Sequence, residues 1–364
     1  MAQRVYNFSA GPAVLPLPVL EEVQRDLLAL PGARASILEV SHRSAEFTPI
    51  IEGAEANLRQ LLSISDDYAV LFLQGGSRLQ FSMVLMNLFE PGRAADYILT
   101  GSWGKDAPKE AKQEGETRVA WDGAARNYDR LPQRGDLNLE PQAAFVHFTS
   151  NETIQGVEFT GEPDVGDVPL VCDASSNFLS RPIDVSKYGL IYACAQKNAG
   201  PAGVTVVIVR KDLLKRADAN MPGYLHYLTH AENGSMWNTP PTFAIYVLKL
   251  ITEWLDREVG GLSAMRERNQ EKARLLYDVL DASGGYYAGH AQKDCRSLMN
   301  VTFRLPSEEL TNAFVGEAKK RGLHELKGHR SVGGVRASIY NAMPKAGVEA
   351  LRDFMVEFRE VNQK

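Results

Sequence analysis

Two ionisable side chains stand beside apolar segments in the middle of the chain. Lys197 follows the apolar run 190–195, and Asp173 directly follows the run 168–172. Burial lowers the pKa of a lysine, and the free amine can then attack a carbonyl carbon to form a Schiff base. A buried carboxylate needs a cationic partner, such as a protonated ring nitrogen. The ordinary alternatives are a lysine that reaches solvent at a turn and an aspartate that caps a turn or helix.

Two further segments carry unusual residues where a strand is predicted to end. In Gln74-Gly75-Gly76-Ser77-Arg78 the glycines allow close approach of a ligand, and the following helix offers free N–H groups that suit a phosphate. The segment is neither a Walker A sequence nor G-x-G-x-x-G, so a nucleotide is not specifically indicated. Trp103 could stack on a flat ring. A plain strand-to-helix turn and a core tryptophan are the alternatives.

These residues need a scaffold, and the hydrophobic pattern predicts one. Apolar runs predict strands at 68–73, 96–100, 143–149, 168–172, 190–195 and 204–209, with helices between most of them. Nearly continuous apolar runs are typical of strands that are buried on both faces of a mostly parallel sheet. The turn between the last two strands is too short for a helical crossover, so that pair is predicted to be antiparallel. Ligands of such sheets gather beyond the carboxyl ends of the strands.

The length of 364 residues predicts more than one core. We predict an irregular N-terminal segment over 1–18, a large domain over 19–260 and a small α+β domain over 261–364. The boundary is placed at Gly260-Gly261, after a long amphipathic helix.

Composition restricts the partners and the compartment. The net charge of −5 gives no reason to expect nucleic acid or an anionic membrane, so an anionic substrate would need a local cluster of arginine or histidine. The three cysteines form no C-x-x-C pair, and their odd number argues against a disulfide framework. No apolar run reaches membrane-spanning length and no signal sequence is visible, so we expect a cytoplasmic protein. No metal site is predicted.

The order of these features is typical of fold-type-I pyridoxal-phosphate enzymes, in which a glycine turn precedes a strand-end Asp and then a strand-end Lys, here 24 residues later. At these residues the chain resembles the phosphoserine aminotransferases, in the class-V-like branch of that fold. The resemblance runs end to end and includes the blocks Asn7–Pro12, Glu39–Arg43, Asn151–Gly156, Ser180–Asp184, Asn238–Thr242, Lys327–Arg330 and Gly334–Asn341. It implies an α/β fold with a mostly parallel seven-stranded sheet in a large domain and a small α+β C-terminal domain.

The resemblance also implies a cofactor, pyridoxal 5′-phosphate, held covalently on Lys197, with Asp173 against its pyridinium nitrogen. The other residues that it places around the cofactor are Trp103 on the ring, Thr153 at the phenolic oxygen, Ser77, Arg78 and Gln196 at the phosphate, and Asn238 and Thr239 from a partner subunit. The expected assembly is therefore a homodimer with shared active sites.

For the substrates, the resemblance implies small amino acids and keto acids that carry two anionic groups. Arg336 would bind the α-carboxylate bidentately. The residues expected to receive the phosphate or the γ-carboxylate, some of them across the dimer, are His42, Arg43, Arg78, His329 and Arg330, and Ser9 would lie close to the pocket. The implied reaction transfers an amino group from glutamate to 3-phosphohydroxypyruvate and gives phosphoserine and 2-oxoglutarate. A phosphorylated hydroxythreonine precursor of pyridoxine is a further implied substrate.

Some features remain open. Ser77 replaces a glycine that is common in the family, and the stretch 113–139 matches least well, so no element or role is assigned there. A sulfur-removing lyase of the same fold would need a mobile cysteine, for which Cys295 is the candidate. A binding protein that has lost catalysis is a rival of a different class. A nicotinamide-binding protein is a weaker rival, because its glycine fingerprint is absent.

Overall fold

The computed structural model describes residues 4–133 and 135–363. Its largest element is a seven-stranded sheet. We label the strands in chain order as β1 (Tyr68–Leu73), β2 (Ala95–Leu99), β3 (Thr117–Asp122), β4 (Val146–Thr149), β5 (Leu170–Asp173), β6 (Leu190–Cys194) and β7 (Thr205–Arg210).

The sheet is mostly parallel, and its strand order is β1-β7-β6-β5-β4-β2-β3. Only β7 runs antiparallel to its neighbours, β1 and β6, which confirms the antiparallel pair predicted from the short turn. Because β7 reverses direction between them, β1 and β6 point the same way. The carboxyl ends of six strands therefore meet at one edge of the sheet.

Strand β3 is the one strand of this sheet that the sequence did not predict. It lies in the stretch 113–139, to which no element was assigned. It occupies the outer edge of the sheet and pairs only with β2, with an irregularity in register. Its side chains alternate in part between buried and exposed, and Val119 is 50% exposed. A half-exposed edge strand lacks the continuous apolar run by which the other six strands were predicted.

Both faces of the sheet are covered, as the continuous apolar runs predict. On β1, Tyr68, Val70 and Phe72 belong to one hydrophobic cluster, whereas the alternate residues Leu71 and Leu73 belong to another. Successive side chains of a strand point to opposite faces. Each face therefore has its own core, and the sheet holds its strand ends rigidly.

The helices are α1 (Leu17–Asp26), α2 (Thr48–Leu62), α3 (Gly76–Leu88), α4 (Ser102–Ala111), α5 (Tyr227–Glu232), α6 (Thr242–Trp254), α7 (Gly261–Ala282), α8 (Glu308–Lys320) and α9 (Lys345–Asn362). Each of α3 and α4 follows a sheet strand, so both begin at the edge where the strand ends gather. A single turn of π-helix, Leu255–Val259, follows α6. Gly260 and Gly261 then adopt positive φ values of 89° and 88°, which glycine tolerates without a Cβ clash.

The C-terminal part has a small antiparallel sheet of β8 (Ala288–Gly289), β9 (Asn300–Arg304) and β10 (Val335–Ser338). A third hydrophobic cluster lies between this sheet and the helices α7, α8 and α9. The N-terminal segment joins it, because Phe8 is fully buried there and Tyr6–Asn7 pairs in parallel with Leu323–His324. Among the residues described, no helix combines the length and apolar character needed to cross a membrane.

Candidate active site

A cleft of about 410 Å³ lies at the edge where the strands end. The residues named for chemistry from the sequence that line it are Ser77, Arg78, Trp103, Thr153, Asp173, Gln196, Lys197, His329 and Arg336. They come from loops that are distant in the sequence, including those after β1, β2 and β6. The sheet therefore brings together in one cavity the four strand-end features from which the sequence analysis began.

Lys197 lies in the short connection between β6 and β7. Its Nζ donates a hydrogen bond of 2.6 Å to Thr153 Oγ1 and lies 5.2 Å from the centroid of the Trp103 ring. The backbone beside it is fixed, because Ala13 N–H donates to the Gln196 carbonyl oxygen. Gly11 also packs on the lysine: a Cβ there would lie 3.3 Å from Lys197 Cγ. The amine is thus held by its surroundings and faces the cleft.

Asp173 is the last residue of β5 and is 4% exposed. Its Oδ1 accepts hydrogen bonds from the Ser175 N–H (2.9 Å) and the Ser175 hydroxyl (2.5 Å). Burial raises the pKa of this carboxyl, and the positive charge of Lys197 lowers it in part. No cationic side chain among the described residues comes within 4.0 Å of it. A cation that enters the cleft would therefore supply an interaction that the buried carboxylate lacks.

The glycine turn after β1 leads into α3 and leaves the first turn of that helix open. Gly75 and Gly76 have φ values of 91° and 65°, and Gly75, at the N-cap, has no side chain with which to cap the helix. Free N–H groups and the positive end of the helix dipole are suited to a phosphate. The Ser77 hydroxyl lies 2.6 Å from Ser175 Oγ and so connects this turn to Asp173. The exposed Arg78 guanidinium pairs with Asp106 (3.2 Å) and lies over the Trp103 ring.

A hairpin in which Asn151–Glu152 pairs with Val157–Glu158 carries Thr153 in its turn, and it also holds the helix that carries Trp103. Glu152 accepts hydrogen bonds from the N–H groups of Trp103 (3.1 Å) and Gly104 (2.8 Å), and Gln155 Oε1 accepts from that of Ser102 (3.1 Å). The first turn of α4 is thereby capped by two side chains of another loop. Sequence reasoning missed both residues, although they lie in the block Asn151–Gly156 on which the resemblance depends.

The C-terminal part of the chain adds two side chains, Arg336 and His329, to the lining of the cleft. Arg336 lies on β10 and is partly buried, and burial lowers the pKa of its guanidinium. His329 lies in the Gly-rich loop before β10, and burial together with the charges of Arg336 and Arg330 lowers the pKa of its imidazole. Both residues face the cavity into which Lys197 points. The guanidinium of Arg336 therefore offers a positive charge to a substrate carboxylate in the same cavity as the Lys197 amine.

The other residues expected at the site do not line this cleft in the single chain. His42 is half-buried with a buried Nε2, and Arg43 and Arg330 are exposed. Asn238 lies near Gln74, with its amide 3.4 Å from Gln74 Oε1, and Thr239 is exposed. Ser9 directly precedes the lining residues Ala10 and Gly11, and its hydroxyl accepts from the Gly11 N–H (3.3 Å).

Cys295 is 2% exposed, and burial raises the pKa of its thiol to about 11. Its Sγ lies 3.5 Å from the carbonyl oxygens of Asp129 and Gln292, and it does not line the cleft. A sulfur-removing reaction needs an accessible thiolate at the site, so the structure disfavours the lyase alternative. Within the described part of the chain, no three His, Cys, Asp or Glu side chains are grouped to hold a metal ion.

Comparison with known proteins places this fold and site in a family. The sequence model of the family described as Aminotransferase class-V matches residues 5–351, so the chain belongs to the class-V aminotransferases. Within that class, its relatives are phosphoserine aminotransferases. The protein of that name from Rhodopirellula baltica is 59% identical over 362 residues, which cover 99% of this chain and 96% of the relative.

Solved structures agree with this placement. A phosphoserine aminotransferase from Bacillus circulans subsp. alkalophilus is 49% identical, with a TM-score of 0.96 and coverage of 99% of both chains. A phosphoserine aminotransferase with bound pyridoxal phosphate from Trichomonas vaginalis is 40% identical, with a TM-score of 0.92 and coverage of 97% of this chain and 100% of that one. The seven-stranded fold-type-I architecture implied by the resemblance is thus confirmed.

The residues of the cleft fit pyridoxal phosphate, the cofactor of this family. The buried Asp173 carboxylate offers the anion that a protonated ring nitrogen requires. The uncapped first turn of α3 offers N–H groups for a phosphate. Lys197 lines the same cavity as Asp173 and the glycine turn. The chemistry of these three groups is complementary to the charged groups of the cofactor.

Proposed function

We propose that the chain is a pyridoxal-phosphate-dependent phosphoserine aminotransferase that transfers an amino group from glutamate to 3-phosphohydroxypyruvate. The products are phosphoserine and 2-oxoglutarate. The observation that carries the proposal is the presence of Asp173, Lys197 and Arg336 in one cleft. The names of the relatives, at up to 59% identity over nearly the whole chain, support this choice of substrates.

Each residue has a task in this reaction. Arg336 binds the α-carboxylate that all four reactants share, and its planar guanidinium matches that group bidentately. Lys197, freed as an amine, removes the proton from the α-carbon of the donor as a general base and, as the resulting ammonium, donates it to the carbon on the other side of the amino nitrogen as a general acid. Thr153, 2.6 Å from Nζ, keeps the amine oriented. When bound, pyridoxal phosphate supplies the aldehyde that takes the amino group and a ring that accepts electron density.

Asp173 keeps the ring nitrogen protonated, because burial makes an unpaired carboxylate unfavourable and a cationic partner favourable. The first turn of α3 and Ser77 hold the phosphate, and Trp103 stacks on the ring, with Arg78 and Gln196 beside them. His329 receives the distal anion of the substrate, a phosphate or a γ-carboxylate. Arg330, which is exposed beside it, adds positive charge to the same approach.

The visible spectrum of the purified protein tests the proposal. The holoenzyme is expected to be yellow, to lose this absorption when glutamate is added, and to regain it with 3-phosphohydroxypyruvate. Lys197→Ala is the matched control and is expected to fold and to show no turnover. Full transamination by that variant, or a spectrum that glutamate does not change, would refute the assignment. The further substrate is tested in the same way, with 3-phosphohydroxypyruvate replaced by the keto acid that corresponds to the phosphorylated hydroxythreonine precursor of pyridoxine.

A homodimer with shared sites is part of the proposal. Tyr224, which lines a small cavity with Asn238, and Trp237, which precedes Asn238 in the sequence, are 37% and 46% exposed. Asn238 and Thr239 do not line the cleft of their own chain. His42 and Arg43 likewise do not line it. A second copy of the chain that covers this surface would bring such residues to the partner's cofactor phosphate and substrate anion.

Mixing two inactive variants tests the sharing. Lys197→Ala lacks the base but has Asn238, whereas Asn238→Ala has the base but lacks the contact to the partner. In a randomly reassembled mixture, half of the dimers are hybrids with one intact site, so activity should rise to about a quarter of the wild-type value. No gain above the separate variants would show that each site is built from one chain.

Two further parts of the proposal concern organisation and location. The division at Gly260-Gly261 is supported by the two positive φ values there, although Leu262 and Met265 of α7 still pack into the core of the large sheet. Limited proteolysis that releases 261–364 as one fragment would support this division, and cleavage elsewhere would contradict it.

A cytoplasmic location suits three free cysteines. Recovery of the protein outside the cytoplasm by fractionation would contradict this location.

A further inference from the structure

Glu152 is a buried carboxylate that the proposed reaction does not use. It is 0% exposed and immediately precedes Thr153, whose hydroxyl accepts from Lys197. Its two oxygens accept from different N–H groups, Oε2 from Trp103 and Oε1 from Gly104. A carboxylate is expensive to bury, so such a group needs a compensating function.

The geometry gives that function. Helix α4 begins at Ser102, and its N-cap, Gly101, has no side chain with which to satisfy the first N–H groups. Glu152 and Gln155 supply the missing acceptors from the neighbouring hairpin, and Gln155 Nε2 also donates to the Ser102 hydroxyl (2.8 Å). When Glu152 is ionised, its negative charge lies at the positive end of the helix dipole, where it is favourable.

The absence of a side chain at Gly101 is itself necessary for this contact. A Cβ there would overlap the carboxyl carbon of Glu152 and the side-chain oxygen of Gln155. Glycine at this position therefore leaves room for the side chains of Glu152 and Gln155 to contact the backbone of the first turn of α4. This close approach is a packing reason for glycine at a position whose φ of 177° any residue could adopt.

Trp103 depends on this cap because its own polar atom does not anchor it. The indole Nε1 is buried and has no hydrogen-bond partner among the described residues. The position of the ring is consequently set by the backbone of the first turn of α4, which Glu152 holds. The same hairpin sets the position of Thr153, so one loop determines both groups that contact or approach the Lys197 amine.

We propose that Glu152 is a positioning residue for the cofactor: it ties the first turn of α4 to the hairpin of Thr153 and so fixes the Trp103 ring relative to Lys197. The inference rests on the proposed function, because it takes Trp103 as the residue that stacks on pyridoxal phosphate. Glu152 itself does not line the cleft. It acts through Trp103 and takes no part in proton transfer.

The chain offers a matched control on the same hairpin. Glu158 is also a buried carboxylate, 4% exposed, but it accepts from Leu298 N–H (2.7 Å) and the Asn177 amide (3.1 Å), away from α4. Burial raises the pKa of both carboxyls, that of Glu152 to about 7. Glu152→Gln and Glu158→Gln therefore change the same group in similar surroundings, but only the first alters the cap of α4.

The test measures the dissociation constant of pyridoxal phosphate from reconstituted protein, with the thermal midpoint of the apoprotein as a separate readout. Glu152→Gln is expected to raise the dissociation constant about five- to tenfold, the size that loss of a helix cap implies. Glu158→Gln is expected to lower the midpoint but to leave the constant within about twofold. An equal loss of cofactor affinity in both variants would mean a merely structural role and would overturn the proposal.

A double-mutant cycle identifies the group through which Glu152 acts. When Trp103→Ala is already present, adding Glu152→Gln should change the dissociation constant by less than about twofold, because the ring that it positions is gone. Additive effects in this cycle, or non-additivity with Thr153→Ala instead, would overturn the proposal. Failure of the wild type to bind the cofactor would refute the proposed function. The near-ultraviolet circular dichroism of apoprotein, with Trp103→Phe as reference, would still show whether Glu152→Gln disturbs the indole.

Discussion

Replacement of Asp173 by Asn should affect stability and activity in opposite directions. The side chain is 4% exposed, and its Oδ1 accepts two hydrogen bonds from Ser175. Asparagine has nearly the same shape and keeps that oxygen, so the change removes the charge and puts an NH2 group in place of the second oxygen. In the apoprotein this charge lies in a buried site, where the charge of Lys197 and the hydrogen bonds from Ser175 and Tyr192 offset its desolvation in part.

The expected magnitude follows from burial. A neutral polar group that is buried without a full set of partners costs about 1–3 kcal/mol in proteins, and a carboxylate costs more. The Asp173→Asn apoprotein should therefore be more stable than the wild type by at least ~1 kcal/mol near neutral pH. In the holoenzyme the sign should reverse, because the wild-type carboxylate then has a cationic partner and the asparagine does not.

The dependence on pH has a definite sign. The folded-state pKa of Asp173 is raised above its value of 3.8 in the unfolded chain. Its contribution to stability is therefore fully present below the unfolded pKa and is lost as the pH rises through the folded pKa. The advantage of the asparagine apoprotein should accordingly be small at acidic pH and should grow as the pH rises.

Urea unfolding of both proteins, with and without cofactor, over a series of pH values is the assay. Asp278→Asn, which neutralises an exposed carboxylate on α7, serves as the control and should have little effect. In the same preparations, kcat for Asp173→Asn should fall by roughly 10²–10³, the usual effect of removing one preorganised electrostatic partner. An apoprotein variant that is less stable at every pH, or a holoenzyme that retains its rate, would refute the reasoning.

Three other predictions concern the substrate clamp, the packing of the cap and the cysteine. Arg336→Ala should lower kcat/KM roughly ten- to hundredfold for glutamate and for phosphoserine alike, since one charge-assisted hydrogen bond is worth about 1.5–3 kcal/mol; a loss confined to phosphoserine in steady-state kinetics would contradict this role. Gly101→Ala should destabilise the protein by about 1–3 kcal/mol in thermal unfolding because of overlap with Glu152, whereas Gly161→Ala, which meets no atom within 4 Å, should not. Native Cys295 should resist alkylation because it is buried, and transamination should persist under an alkylating reagent; rapid modification with loss of activity would reopen the lyase alternative.

The sequence predicted the centre of the site because that centre follows from strand ends. Asp173 and Lys197 were recognisable as ionisable residues beside continuous apolar runs, and the carboxyl ends of parallel strands meet at one edge. The glycine turn before Ser77 was recognisable for a similar reason, because it joins an apolar strand to a helix. These signals are local, and the topology of the sheet makes their meeting predictable.

Features that depend on contacts between distant segments could not be predicted in this way. Strand β3 was missed because an edge strand with an exposed Val119 has no continuous apolar pattern. Glu152 and Gln155 were missed because their partners are backbone N–H groups about 50 residues away. When side chains of another loop cap a helix, no sequence signal marks those side chains. The available indication is a glycine at the N-cap of the helix, because glycine has no side chain with which to cap it.

The reversed direction of β7 has a consequence for how the reactive lysine can move. Lys197 lies on a short hairpin between two central strands, and the Ala195 N–H bonds to the carbonyl of Val204 across its base. Opening this loop would require local unfolding of the middle of the sheet, which is the most stable part of such a fold. The backbone at Lys197 is therefore fixed, and in the proposed reaction the part that moves is the four-carbon side chain, which turns about one anchored point.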